Sequence, residues 1–241
     1  MKITDTAALV TGASRGFGAA LARELAARGA RVALVAREPA PLEEVVQSIR
    51  AAGGTAFALP ADVADQNAVY PLAAMAAELV GPIELLVHNA SSLGPTPLRL
   101  LLDTECEDFE RVLAVNLLGP FRLSRAIAGS MAVRRTGTIV HLSSDAAVSA
   151  YAGWGAYSVS KAGLDHLSRL WAEELSPFGV RVLAFDPGEM DTVMHRDALP
   201  DVDPSTLAEP ARVARRLIAA LLDPTVASGA RLTADSFREA S

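Results

Sequence analysis

The chain has 241 residues, of which 51% are hydrophobic, and carries a formal net charge of −6. This length fits one α/β domain with a full core, and the hydrophobic content excludes a disordered chain. The acidic balance argues against nucleic acid or an anionic membrane as the main partner, because phosphate binding needs a basic face. Cys106 is the single cysteine, and there is no signal-peptide pattern and no apolar run of ~20 residues, so we expect a cytoplasmic protein.

Short apolar segments alternate with helix-length segments from one end of the chain to the other. A typical helix places Leu42, Val45, Val46 and Ile49 on one face and ends near Gly53. Because most of the strand candidates are apolar on both faces, the pattern predicts a parallel sheet covered by helices on each side. We therefore predict an α/β fold, a Rossmann-type doubly wound sheet of about seven strands that forms a single domain over residues 1–241. The strand candidates are residues 7–10, 32–35, 56–59, 85–87, 138–140, 180–185 and 230–232, and residues 199–204 are expected to form a loop.

A glycine-rich turn follows the first predicted strand and leads into the first predicted helix. Glycines allow a sharp turn and let a pyrophosphate approach the backbone N–H groups, while the helix N-terminus favours the anion. The alternatives are a purely structural turn and a G-x-S-x-G nucleophile elbow at Ser14, but that elbow does not belong after the first strand. We predict a dinucleotide-binding turn formed by Gly12, Ser14, Arg15, Gly16, Phe17 and Gly18.

The end of the second strand bears on which nicotinamide dinucleotide is bound. An NAD-specific site usually places an acidic side chain there to accept the ribose hydroxyls. Here Ala36 offers no carboxylate, and Arg37, helped by Arg15, offers a forked cation for a 2′-phosphate. Each arginine alone could equally be a solvated surface charge. Together with the missing acid they favour NADP, and Asp62 and Val63 suit contacts with adenine, although Asp62 could also cap a helix.

Tyr157 and Lys161 stand four residues apart, on one face of a predicted helix. A free tyrosine has a pKa of about 10, and a nearby ammonium is expected to lower that pKa. Tyr157 can then protonate an alkoxide that develops as hydride reaches a carbonyl carbon. Ser144, just after the fifth strand, is expected to hydrogen-bond the substrate oxygen. A surface Tyr/Lys pair at this spacing is common, so the assignment depends on the glycine turn and on Ser144.

These motifs together resemble the short-chain dehydrogenase/reductase family over essentially the whole chain. The resemblance implies that Asn116 is a fourth catalytic residue, holding a water that links Lys161 to solvent, and that Lys161 also binds the nicotinamide ribose. Two positions depart from the family pattern: Ser91 follows Asn89 and Ala90 where glycine is commoner, and Asp186 stands where Asn is frequent. The resemblance adds Asn89, Ala90, Ser91, Tyr157, Lys161, Pro187, Gly188, Met190 and Thr192 to the predicted cofactor-binding residues.

Four further stretches bear on the subfamily: residues 88–94, 153–154, 187–192 and 228–230. They are similar to the sepiapterin reductase branch, which includes bacterial diketone reductases. That branch anchors its pterin through a carboxylate near the C-terminus, and Asp235 lies apparently one residue away from that place. Trp154 is expected either to wall the substrate pocket beside Ser144 and Tyr157 or simply to pack. Met194 and His195 could form a lid or an ordinary loop. The histidines show no metal-ligand spacing, so no metal is predicted.

The leading hypothesis is NADPH-dependent reduction of a ketone, aldehyde or 1,2-dicarbonyl to an alcohol, with Tyr157 as the general acid. A second hypothesis is a non-catalytic NADP(H)-sensing protein on the same fold, and a third is an NAD-dependent alcohol dehydrogenase. The expected partners are a small-molecule carbonyl compound and further copies of the chain. The resemblance implies a homodimer or homotetramer, with the helix that bears Tyr157 as the expected interface.

Overall fold

The computed structural model describes residues 2–238, and within them seven strands form one parallel sheet. The strands are β1 (Ala7–Thr11), β2 (Arg31–Ala36), β3 (Thr55–Pro60), β4 (Leu85–His88), β5 (Gly137–Leu142), β6 (Val180–Asp186) and β7 (Arg231–Thr233). Their order across the sheet is β3-β2-β1-β4-β5-β6-β7. The order therefore reverses between β1 and β4, and a crevice for a ligand is expected outside the carboxyl ends of the strands at that point.

Helices cover both faces of the sheet because the side chains of each strand point alternately to the two sides. The helices are α1 (Gly16–Ala27), α2 (Pro39–Ala51), α3 (Val69–Val80), α4 (Cys106–Leu113), α5 (Gly119–Arg134), α6 (Gly155–Leu175), α7 (Val193–Ala198) and α8 (Pro210–Leu222). Val10 packs into a core with α1, α2 and α8, whereas its neighbour Leu9 packs into a second core with α3, α5 and α6. Both faces of the central strands are therefore buried, which explains their continuous apolar sequences.

The predicted α/β sheet of about seven strands with helices on both faces is confirmed. The last strand comes one residue later than expected, at Arg231–Thr233, because its pairing with β6 begins at Arg231. The expected loop at residues 199–204 is preceded directly by α7 and runs into a 3₁₀ turn at Pro204–Thr206. Within residues 2–238, no helix combines the length and the apolar character that crossing a membrane requires.

Candidate active site

The glycine turn between β1 and α1 has no room for side chains at two of its glycines. Gly12 has a φ of +65°, and a Cβ built there would lie 2.7 Å from the Cα of Ala90. A Cβ on Gly18 would collide with the carbonyl oxygen of Gly12 and with the side-chain amide of Asn89. The turn is therefore pressed against the segment that follows β4, and its exposed side presents bare backbone, which suits a pyrophosphate.

Thr11 and Asn89 hold this turn in place. The Asn89 amide donates to the carbonyls of Thr11 and Gly12 at 3.0 and 2.9 Å, and the Thr11 hydroxyl accepts the N–H groups of Asn89 and Ala90. The amide nitrogen of Asn89 thus supports the turn, and the predicted part of Asn89 in dinucleotide binding stays a prediction. Thr11 was not among the predicted site residues, although a threonine before the first glycine was a visible signal.

A cavity of about 340 Å³ lies over the turn, at the point where the strand order reverses. Most of the predicted dinucleotide-binding residues line it. Gly18 lies beneath the turn, and Tyr157, Pro187 and Gly188 line the neighbouring cavity instead. The residues that line the first cavity include Gly12, Ser14, Arg15, Gly16, Phe17, Arg37, Asp62, Val63, Asn89, Ala90, Ser91, Met190 and Thr192.

Three arginines line the end of this cavity beyond β2. Arg15 and Arg37 are exposed, and Arg111 from α4 donates to Asp62 at 2.5 Å. Burial alone would raise the pKa of Asp62, but the hydrogen bonds from Arg111 and from a backbone N–H, with the charge of Arg37, lower it below its ordinary value. Arg111 was not among the predicted site residues, and neither was Glu38, which lines the same cavity.

The predicted catalytic side chains Tyr157, Lys161 and Ser144 come together at the carboxyl ends of β5 and β6. Tyr157 is buried on α6, and the hydroxyls of Ser144 and Ser91 interact with it through hydrogen bonds. The Lys161 ammonium lies 5.5 Å from the centre of the Tyr157 ring. The Ser144 hydroxyl donates to Asp145 at 2.9 Å, so a substrate oxygen would have to replace this carboxylate as the acceptor.

The pKa of Tyr157 shifts in the direction opposite to the prediction. Burial raises it to about 12; the hydrogen bond with Ser144 opposes this rise, and the charges of Asp186 and Asp145 add to it. Burial lowers the pKa of Lys161 to about 8, against the opposing charges of Asp165 and Asp186. The pKa of Tyr157 is therefore not lowered as expected from Lys161, because the phenol is buried and faces two carboxylates.

Asn116 lies in a π-helical turn (Ala114–Leu118) between α4 and α5. Such turns are rare and occur frequently at functional sites. The Asn116 amide donates to the carbonyl of Ser92 and to the hydroxyl of Ser160, both at 2.9 Å, and its oxygen accepts the Ser92 N–H at 2.8 Å. The side chain therefore ties the segment after β4 to α6, and its predicted role in holding a water stays a prediction.

A second cavity, of about 770 Å³, is lined by Tyr157 and Ser144 and shares Met190, Thr192 and Met194 with the first. The Trp154 ring meets the Tyr157 ring edge-on, with 5.6 Å between the ring centres. Trp154 also lines this cavity, in agreement with one of its two predicted roles.

Met194 and His195 lie on α7. The Thr192 hydroxyl caps the N-terminus of this helix by accepting the His195 N–H at 3.2 Å. The threonine cap was the missed signal for this helix. Asp235 lines the far wall of the cavity and is paired with Arg216 at 2.5 Å.

A doubly wound sheet with a glycine turn at its switch point and a buried tyrosine–lysine pair beside it defines a dinucleotide-dependent oxidoreductase. A sequence model of the short chain dehydrogenase family matches residues 6–203, and the chain belongs to this family. It is an oxidoreductase that acts on CH–OH or C=O groups with a nicotinamide cofactor.

Its relatives differ in substrate and in dinucleotide. The chain is 38% identical over 187 residues to a 2,3-dihydro-2,3-dihydroxybenzoate dehydrogenase of Bacillus subtilis, a match that covers 78% of this chain and 70% of the relative. An NAD+-bound xylitol dehydrogenase superposes with a TM-score of 0.86 at 26% identity, covering 97% of this chain and 98% of the other. A metagenomic short-chain oxidoreductase in complex with NADP superposes with a TM-score of 0.81 at 32% identity, covering 96% and 97%.

Proposed function

We propose that the protein reduces a small ketone, aldehyde or 1,2-dicarbonyl compound to an alcohol with NADPH. One observation carries the proposal: Tyr157 lines the larger cavity together with Ser144, and its hydroxyl also interacts with Ser91, which lines the cavity over the glycine turn. A carbonyl compound in the larger cavity and a dinucleotide in the other would therefore meet at Tyr157. The similarity to the sepiapterin reductase branch directs the choice of substrate to 1,2-dicarbonyls.

The dinucleotide fits the residues that are present. Gly12 and Gly18 let the turn pack closely against the segment after β4, because a Cβ at either position would clash there, and α1 would present its N-terminus to the pyrophosphate. Arg37 and Arg15 would hold a 2′-phosphate, and the residues after β6 (Pro187, Gly188, Met190 and Thr192) would border the nicotinamide, which supplies the hydride when bound. Both arginines are exposed and line the cavity, and residue 36 is an alanine and not an acid. These two features support NADP as the dinucleotide.

In this proposal the chain's own residues position the carbonyl and deliver a proton. Ser144 turns its hydroxyl from Asp145 to the substrate oxygen, and Tyr157, which is protonated at neutral pH, donates its proton to that oxygen. The Lys161 ammonium donates to the Leu142 carbonyl oxygen at 2.6 Å, and this hydrogen bond holds it behind the phenol. Trp154 forms a wall of the substrate space, and Asn116 fixes the frame around the site.

Oxidation of NADPH in the presence of diketones, ketones, aldehydes and quinones tests the proposal. We expect turnover with at least one 1,2-dicarbonyl, and we expect Tyr157→Phe to reduce it by about 10²–10⁴-fold, the range for loss of a general acid. Tyr151→Phe is the matched control, because Tyr151 lines the same cavity but bonds Asp145. Full activity of Tyr157→Phe on every substrate contradicts the assignment of the proton donor.

The two alternatives make different predictions in the same assay. A sensing protein binds NADPH tightly but oxidises none of it with any carbonyl compound, and an NAD-dependent alcohol dehydrogenase prefers NAD in the unmodified chain.

We also propose a homodimer or homotetramer assembled through α6, because Val159 and Leu170 expose half of their surface on this helix. The cytoplasmic location stays a prediction from the sequence.

A further inference from the structure

One arginine side chain connects the three segments that carry the proposed catalytic groups. Arg231 lies in the edge strand β7, and its Nε donates to Asp165 Oδ2 at 2.8 Å. Its Nη2 donates to Asp186 Oδ2 at 2.9 Å and to the backbone carbonyl of Ser144 at 2.8 Å. Asp165 lies one helical turn after Lys161 on α6, Asp186 ends β6, and Ser144 follows β5.

The charges in this cluster require such a bridge. Asp165 and Asp186 are each only 7% exposed, and Lys161 is 2% exposed. Two buried carboxylates in one site repel each other and are costly unless each is paired. The planar fork of an arginine binds one oxygen of each carboxylate in a fixed geometry, which the single ammonium of a lysine does not reproduce. The four side chains together carry no net charge.

We propose that Arg231 is a positioning residue of the active site, which neutralises the two carboxylates facing Lys161 and Tyr157 and fixes the backbone at Ser144. This inference rests on the proposed function, in which Tyr157 is the proton donor. Arg231 also acts on the turn at residues 187–188 through Asp186, whose second oxygen accepts the Gly188 N–H at 3.0 Å.

The electrostatic consequence follows from the groups that face the two catalytic side chains. Asp165 and Asp186 raise the pKa of Lys161, and Asp186 also raises the pKa of Tyr157. Without Arg231 these carboxylates keep their full effect, so the raised pKa of Tyr157 rises further and the lowered pKa of Lys161 moves back up. The other titratable groups that face the pair are Asp145, after β5, and His141, in β5.

The test is the pH at which oxidation of an alcohol by the loaded enzyme becomes half-maximal, since this direction needs the phenolate of Tyr157. We expect Arg231→Gln to raise that midpoint by about one pH unit and Asp186→Asn to lower it. The double variant returns towards the unmodified protein, and Arg231→Lys, which keeps the charge, stays near it. Arg181→Gln is the control. Arg181 lies in β6 and also donates to backbone carbonyls, but it lies at the end of the strand opposite to Asp186. Its loss should leave the midpoint unchanged.

A loss of turnover or stability in Arg231→Gln with an unmoved midpoint makes Arg231 merely structural and overturns the proposal. If circular dichroism shows that this variant does not fold, Asp186→Asn alone must still lower the midpoint, and an unchanged midpoint overturns the proposal. If the unmodified chain turns over no carbonyl or alcohol, the proposed function fails. The ionisation of Tyr157, followed by ultraviolet absorbance of the phenolate relative to Tyr157→Phe, then still tests Arg231 by the same directions of shift.

Discussion

The ammonium of Lys161 lies 5.5 Å from the centre of the Tyr157 ring, and both side chains are buried. Lys161 and the exposed Lys2 are the only lysines among the 22 basic residues of the chain. The rest are arginines, whose guanidinium stays charged in proteins, whereas a buried lysine shifts its pKa readily. The basic residue beside Tyr157 is therefore a lysine, the type whose state of charge changes with burial.

The first prediction concerns the cost of this buried lysine. The pKa of Lys161 is about 8 in the folded chain and has its ordinary value of 10.5 when unfolded, so folding opposes its charge at low pH. The penalty is complete below pH 8, shrinks as the pH rises and is gone above pH 10.5. At its largest it amounts to about 3 kcal/mol. Replacing Lys161 with Met, which removes the penalty but also the bond to Leu142, changes this pH dependence.

Urea unfolding across this pH range provides the measurement. The unmodified protein should gain stability relative to Lys161→Met as the pH rises from 8 to 10.5. Lys2→Met, which removes an exposed charge, should show no such trend. Parallel stability curves for the unmodified protein and Lys161→Met would contradict a lowered pKa.

The sequence predicted the features that are local and missed those that join distant segments. Continuous apolar strands, the turn at Gly12 and the Tyr157/Lys161 spacing each lie within one short window, because sheet burial and helix geometry repeat locally. The bonds of Arg231 to Asp165 and of Arg111 to Asp62 span 66 and 49 residues, and no periodicity records them. The pKa of Tyr157 was predicted in the wrong direction for the same reason: its burial and its carboxylate neighbours are properties of the packed chain.

The second prediction concerns the close packing of the glycine turn. A Cβ on Gly18 collides with the Gly12 carbonyl and the Asn89 amide, neither of which is the flexible end of a long side chain. Gly18→Ala should weaken binding of the dinucleotide at least about tenfold, and overpacking should cost about 1–3 kcal/mol of stability. Gly129→Ala is the matched control, because a Cβ built at Gly129 on α5 has no neighbour within 4 Å apart from the backbone of its own helix. This variant should be about 0.5–1 kcal/mol more stable than the unmodified protein. Calorimetric titration with NADPH and thermal unfolding measure both effects. Unchanged affinity in Gly18→Ala would mean that the turn does not hold the pyrophosphate.

The third prediction concerns assembly through α6. Val159 and Leu170 are both 49% exposed on this helix, and Phe121 of α5 stacks on Trp171 beside them. Burial of apolar surface drives association, so Val159→Arg combined with Leu170→Arg should convert a dimer or tetramer to smaller species. Leu222→Arg on α8, on the opposite face of the sheet, is the control and should leave the mass unchanged. Sedimentation analysis decides the matter, and a monomeric unmodified chain contradicts the prediction outright.

The fourth prediction concerns the choice between NADP and NAD. Arg37 is exposed at the end of β2, lines the dinucleotide cavity and lies close enough to Asp62 for its charge to lower the pKa of that carboxyl. If its guanidinium binds a 2′-phosphate, Arg37→Asp replaces this attraction with repulsion and places a carboxylate where it can accept ribose hydroxyls. We expect the affinity for NADPH to fall at least about tenfold, which corresponds to about 1.4 kcal/mol, while the affinity for NADH holds or rises.

Fluorescence titration of the unmodified protein and of the Arg37→Asp variant with both dinucleotides measures this preference. Arg23→Asp is the matched control, because Arg23 is also exposed but lies on α1 and bonds Ser48, away from the cavity. It reverses the same charge, so any general effect of added negative charge appears in it as well. Glu38, which lines the same cavity, works against the 2′-phosphate, and Glu38→Gln should strengthen NADPH binding. A preference for NAD in the unmodified protein would mean that Glu38, and not Arg37, governs this end of the cavity.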